Sequence, residues 1–187
     1  MSLNENGIQS ELVEDVKAAY DRLLEIIPGG AEVMVMSSET LSKIGFAEEV
    51  EKEGGRYRSV KKILSGMDRE KESLRMNQIG AAPEWAVGSV HGVTEDGSLL
   101  IASNTGSQIP AYAYGAENVV WVVGAQKIVK DSEEGLKRLY EYSFPLEDAR
   151  ARKAYNSGSG VNKILIVNKE KMDGRSRLIF INREIGF

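Results

Sequence analysis

Apolar residues recur at helical spacing early in the chain. Leu12, Val16, Leu23 and Ile27, with Ala19 and Tyr20 between, share one side of residues 11–27, while Asp15, Lys17, Asp21 and Arg22 fall on the other. The spacing predicts an N-terminal helix stopped by Pro28-Gly29-Gly30. Residues 33–36 form a short apolar run that predicts a buried strand. Ser37 or Ser38 then caps a helix striped by Leu41, Ile44, Ala47 and Val50 and ended by Gly54-Gly55. Strand followed by capped helix is the βα unit of a parallel sheet.

Residues 60–82 are charged and weakly periodic, and predict one or two short helices. Residues 85–90 and 99–102 predict strands. Between them, Thr94-Glu95-Asp96-Gly97-Ser98 carries the Asp-Gly signal of a hairpin. The polar turn Asn104-Thr105-Gly106-Ser107 leads into a short helix over 109–114. Residues 119–123 are apolar on both faces, as in a central parallel strand. Asp131 and Glu134 resemble a capping box at the head of a helix bearing Leu136, Leu139 and Tyr140. Pro145 opens a further helix through about Ala154, and Ser157-Gly158-Ser159-Gly160 reads as a flexible link. Runs at 164–167 and 178–181, with a turn at Met172-Asp173-Gly174 between, close the series. The expected fold class is α/β: an open, mostly parallel sheet with flanking helices and one internal β-hairpin. Residues 1–30 are expected as an N-terminal helix and 31–187 as the α/β domain.

Composition narrows the chemistry. The 24 basic and 28 acidic residues give a net charge of −4, without the concentrated basic patch that nucleic acid or an anionic membrane requires. Cysteine is absent, which excludes disulfides, a cysteine nucleophile, cysteine-ligated zinc and a thiolate-held iron–sulfur cluster within this chain. The single histidine, His91, excludes a multi-histidine zinc site. No metal and no cofactor are expected. No run approaches the ~20 apolar residues of a membrane span and no signal pattern opens the chain, so a cytoplasmic location without membrane insertion is expected. Dinucleotide, P-loop and nucleophile-elbow motifs are missing, since Gly158-Ser159-Gly160 has no strand before it.

Candidate site residues lie in two turns and at one strand end. Glu95 or Asp96 could serve as a general base, with Gly97 admitting a ligand to the backbone and Ser98 donating to it; a tight turn explains the same residues without function. Asn104, Thr105, Gly106, Ser107 and Gln108 gather hydroxyl and amide donors at a helix start, where the dipole favours an anion. The alternative is helix capping. Lys127 follows the central strand and could reach the crevice where open α/β sheets bind ligands, or could be a surface lysine. His91 reads as a hydrogen-bonded, partly buried side chain or as an acid/base group. Arg150, Arg152 and Lys153 could hold an anion or form a solvated helix face, and Glu48, Glu49, Glu51 and Glu53 read as a charged helix face.

An ordered series of segments resembles the LUD (lactate-utilisation) domain family, also called the LutC/YkgG type. Ser38-x-Thr40-Leu41-x-x-Ile44-Gly45 is similar to its first helix, Val93-Thr94-Glu95-Asp96-Gly97-Ser98-Leu99 to its acidic-glycine turn, and Asn104-Thr105-Gly106-Ser107-Gln108 to the turn that follows. Val122-Val123-Gly124 with Lys127-Ile128-Val129 and Asp131, then Pro145-Leu146-x-x-Ala149-Arg150, then Ile185-Gly186-Phe187 complete the series. Gln126 stands where the family usually has Asn, and residues 156–161 replace a segment that is often cysteine-rich. The resemblance implies a fold similar to the ribose-phosphate isomerase and CoA-transferase superfold. It also implies an association with lactate oxidation beside iron–sulfur or oxidoreductase partner subunits, which would carry the electrons. On this basis the chain is expected to be an accessory or subunit component with a pocket for a small anionic ligand. A stand-alone enzyme acting on a small carboxylate or sugar phosphate by proton transfer is the first alternative, and a ligand-sensing module the second.

Overall fold

The computed structural model describes residues 2–187; Met1, the first residue of the N-terminal segment 1–30, lies outside the described residues. Six parallel strands form the main sheet. In spatial order these are β1 (Ile8–Val13), β10 (Ser176–Ile181), β7 (Asn118–Gly124), β4 (Trp85–Gly88), β2 (Glu32–Val35) and β3 (Arg58–Ser59). β7 is central, with Trp121 opposite Leu178 on one side and Gly88 on the other. Its residues alternate between two cores. Val120 and Val122 face a helical layer, where Ala19, Leu23 and Ile27 meet Leu41, Phe46 and Val50. Val119, Trp121 and Val123 face a second sheet through Val93, Leu99 and Ile101. Burial on both faces is why β7 reads as an unbroken apolar run.

The second sheet, of four strands, is separate from the single open sheet that the strand pattern predicts. Its order is β8 (Ile128–Val129), β5 (Gly92–Thr94), β6 (Leu99–Ser103) and β9 (Lys163–Val167). β5 and β6 form the expected antiparallel hairpin, and β9 continues it antiparallel to β6. The helices of the outer layers are α7 (Ser132–Arg138), which packs against β5 and β6, and α8 (Phe144–Tyr155); a wide helical turn at Leu139–Ser143 joins them. Among the described residues no helix is long and apolar enough to cross a membrane, and no group of three or more His, Asp or Glu could hold a metal.

Three local readings differ from the structure. The N-terminal segment opens with a one-turn helix, α1 (Ser2–Glu5), and its main helix, α2 (Val16–Ile26), starts five residues later than the apolar spacing suggests. Asp15 marks the true start: its carboxylate accepts from Ala18 N at 2.9 Å, and the residues before it pair with β10 as an edge strand. Leu12, counted into the helix stripe, is instead 56% exposed on that edge. The single helix expected after β2 is two, α3 (Glu39–Ile44) and α4 (Phe46–Glu51), broken where Gly45 adopts φ 78°. Residues 60–82 resolve into α5 (Val60–Ser65) and α6 (Arg69–Ala81), whereas 109–114 yields only the wide turn Ala111–Gly115.

Because the Asp15 side chain satisfies an otherwise unpaired amide, Asp15→Ala should cost about 1 kcal/mol. Thermal unfolding would show this as a Tm lower by roughly 2–4 °C for a chain of this size.

Candidate functional site

In the main sheet the connection after β2 runs outward to β3, while the connection after β4 runs the other way, through the second sheet to β7. Adjacent strands whose connections diverge leave a crevice beyond their carboxyl ends. A cavity of about 440 Å³ occupies that position. Met36 to Thr40 after β2, Ser89 to His91 after β4, and Lys127 after β7 line it from the main sheet. The second sheet and α8 close it with Ser103, Asn104, Thr105, Ser107, Gln108 and Arg150, and with the loop over residues 157–161.

Lys127 is the principal charge in the floor. It is 2% exposed, so it is no surface lysine. Its Nζ donates to Val90 O at 3.0 Å, to Ser89 Oγ at 3.1 Å and to Thr40 Oγ1 at 3.4 Å. Among the described residues no carboxylate pairs with it. Burial first, and then the nearby Arg138 guanidinium, bring its pKa down to about 7. Arg138 donates to His91 O at 2.8 Å and Ser143 Oγ at 2.6 Å and lies over the Tyr142 ring. His91 Nδ1 accepts from Ala102 N at 3.1 Å, which places the imidazole proton on Nε2. Burial, then Lys127 and Arg138, push its pKa down to about 3, so the ring is neutral at pH 7. It lies between β4 and β5 rather than within a strand.

Of the residues singled out from sequence, Asn104, Thr105, Ser107, Gln108 and Lys127 come together at this cavity. The polar turn is held by its own bonds: Ser103 Oγ to Gln108 Oε1 at 2.8 Å, Gly106 N to Ser103 Oγ at 2.8 Å, and Asn162 Nδ2 to Asn104 Oδ1 at 2.7 Å. Gly106 belongs to that turn without lining the cavity. The helical turn that follows is five residues long and builds little macrodipole.

Glu95, Asp96, Gly97 and Ser98 lie outside the cavity lining. The Asp96 carboxylate is engaged within the hairpin, and the carbonyls of Glu95 and Asp96 by the N-terminal segment. Thr94 Oγ1 bonds Asp96 Oδ1 and receives Ser98 N at 2.8 Å, while Ser2 Oγ and Asn6 Nδ2 cap the carbonyls of Glu95 and Asp96. Arg150 meets the cavity edge as a bidentate partner of Glu147, at 2.8 and 2.7 Å. Arg152 pairs with Asp148.

Other lining residues carried weaker sequence signals. Ser89 falls inside the run 85–90 that predicts a strand; β4 ends at Gly88, and only that end puts Ser89 under the rule that singles out Lys127. Thr40 reads only as part of a helix start. Tyr112 reads only as an apolar residue of a short helix. Gln126 ties two distant segments together. Its amide donates to Ile185 O at 2.8 Å and accepts from Ile185 N at 3.2 Å, which sets Phe187 at the cavity. An amide is the side chain that donates and accepts at once.

No curated protein is detectably similar to the chain. Among solved structures, it is similar to a DUF162 family protein from Deinococcus radiodurans determined at 1.70 Å resolution. The two share 12% identity with a TM-score of 0.55, over 96% of this chain and 90% of that one, a likeness of fold. A model described as the LUD domain matches residues 1–181, so the chain belongs to the LUD domain family, one associated with lactate utilisation.

Proposed function

We propose that this protein is an accessory or subunit component of a lactate-utilisation-type system and holds a small anion in the cavity beyond β2 and β4. One observation carries the reading: Lys127 is a buried cation at the cavity with no carboxylate partner among the described residues. A buried charge is costly unless paired, and an anionic ligand supplies the missing partner. Hydroxyl and amide groups of the 104–108 turn add donors around it. With no cysteine in the chain, the iron–sulfur or oxidoreductase chemistry of such a system falls to partner subunits.

Calorimetric titration with a panel of small carboxylates and sugar phosphates tests this. At least one anion should bind, and Lys127→Met should weaken it by tenfold or more. A panel with no binder, or a binder indifferent to Lys127→Met, overturns the reading.

One observation favours a second reading, a stand-alone enzyme acting by proton transfer. With its pKa at about 7, Lys127 can take up and release a proton at neutral pH. Deuterium incorporation into a bound carboxylic acid in heavy water, followed by NMR, would support that reading. Binding without exchange would leave the accessory role.

A further inference from the structure

Tyr112 is the group at this cavity that neither packing nor internal bonding explains. It is 2% exposed, and its ring packs edge-on to Trp121 with centroids 5.6 Å apart. Yet its hydroxyl has no hydrogen-bond partner among the described residues, although the residue lines the cavity. Buried tyrosine hydroxyls usually find a partner. The chain makes room for this one at Gly88, where a Cβ would fall 1.6 Å from the hydroxyl. Ser89 and Val90, the next two residues, hold Lys127 Nζ. Tyr112 and Lys127 both line the cavity. Burial pushes the Tyr112 phenol up, which keeps it a protonated donor.

The size and lining of the cavity bear on what reaches both groups. At about 440 Å³ it falls within the range of small-molecule sites of ~300–1,000 Å³, well beyond the needs of a three-carbon acid. Its wall carries several groups that can both donate and accept, among them Ser38, Ser103, Thr105, Ser107 and Ser159. Such groups match ligand hydroxyls, which also donate and accept. Those of the 103–107 turn bond within it and Ser38 Oγ accepts from Leu41 N, so what a ligand meets is their remaining donor and acceptor capacity, which alkyl chains would not use.

We infer that the ligand is a polyhydroxylated anion, and that Tyr112 is a ligand-contacting residue whose hydroxyl bonds an oxygen of that ligand beside the anionic group held by Lys127. This rests on the anion-binding reading above and adds the ligand's class and a second contact. The anionic end, carboxylate or phosphate, is what Lys127 alone does not distinguish.

The test compares gluconate with hexanoate, and ribose 5-phosphate with inorganic phosphate, by calorimetry on wild type, Tyr112→Phe and Lys127→Met. At least one hydroxylated member should bind about tenfold or more tighter than its plain counterpart, and which pair shows it identifies the anionic end. Tyr112→Phe should weaken that ligand about three- to tenfold, the worth of one neutral hydrogen bond, and leave the plain anion and the Tm unchanged. Because the hydroxyl has no internal partner, the phenylalanine variant loses no folding interaction. Equal binding within both pairs overturns the inference while leaving an anion site intact. So does a hydroxylated ligand indifferent to Tyr112→Phe. If neither the hydroxylated nor the plain anions bind wild type, the inference and the anion-binding reading fall together.

Discussion

Glu170→Gln is expected to lower stability by about 3–5 kcal/mol, the cost of leaving a buried charge without its partner. The charge is Arg175, 4% exposed and immediately before β10. Its guanidinium donates through Nε to Ala116 O at 2.9 Å and through Nη2 to Ala111 O at 2.8 Å. Nη1 reaches Tyr112 O at 3.1 Å and Glu170 Oε2 at 2.7 Å. Two of the three carbonyls belong to the wide turn that carries Tyr112 and the third, of Ala116, directly follows it, so the pair also fastens a cavity-lining residue. Glutamine keeps the size of the side chain but removes the countercharge and turns an amide toward the guanidinium. Urea denaturation should show the midpoint falling with the slope unchanged, and Tm should drop by roughly 6–20 °C. An unchanged midpoint would mean that the carbonyls alone suffice for Arg175.

The pH dependence of that pair follows in sign. Burial, the largest single influence, pushes the Glu170 carboxyl up, but bonds from Met172 N, Arg175 and Ser176 together hold it below the usual carboxylate range. A lowered folded-state pKa means that the unfolded chain binds more protons during acid titration. The contribution is therefore complete above the ordinary glutamate range and fades as pH falls through the lowered value. Wild type should lose that increment on acidification, whereas Glu170→Gln, which lacks it throughout, should not.

The second large effect has the opposite direction. Lys127→Met is expected to stabilise the unliganded protein at neutral pH by about 1–3 kcal/mol, because a desolvated cation is replaced by an apolar chain of similar length. Loss of the donor to Val90 O offsets part of the gain. A fall of the lysine pKa from 10.5 to about 7 corresponds to roughly 5 kcal/mol of disfavoured charge. The folded protein gives up this proton near pH 7 and the unfolded chain near 10.5, so the unfolded state holds more protons in between. Wild-type stability should then rise with pH across that window, with the penalty complete below about 7 and gone above 10.5. Denaturation at pH 6.5 and 9.5 checks this, since the advantage of Lys127→Met should shrink at the higher pH. A variant less stable than wild type at both values would show that the three bonds at Nζ outweigh the desolvation. On the proposed reading, the lysine that costs the empty protein stability is the one that would hold the anion, a trade-off common at functional sites.

Most of the main sheet is legible in the chain because burial on both faces leaves runs such as 119–123 and 33–36 with no polar interruption. The Asp-Gly hairpin is legible because its turn chemistry is local. What periodicity misreads is set by distant partners. Residues 8–13 become a strand because β10, at the far end of the chain, offers an edge to pair with. The run at 164–167 looks like any other strand, and only its pairing with β6 assigns it to the second sheet.

The candidate site divides in the same way. Lys127 and the 104–108 turn follow from strand-end position and donor-rich composition. Tyr112, by contrast, becomes notable only through Gly88, which is 24 positions earlier in the chain and carries no signal of its own. The acidic turn at Glu95 and Asp96 has the composition of a site but lies outside the cavity lining, with Thr94 holding the Asp96 carboxylate and the distant N-terminal segment capping two of its carbonyls.

The position of β10 has a consequence for how the molecule is made. The last strand of the chain lies between the first, β1, and the central β7, with Ile8 opposite Ser176 on one side and Val119 on the other. During synthesis β1 emerges early and has no neighbour, and β7 keeps one edge open, until residues 176–181 arrive. Contacts between sequence-distant strands slow folding, because chain entropy is lost before they form. The main sheet therefore closes only once residues 176–181 have been synthesised. A nascent chain stalled before β10 would present two unpaired edges, the kind of surface on which strands from different chains associate.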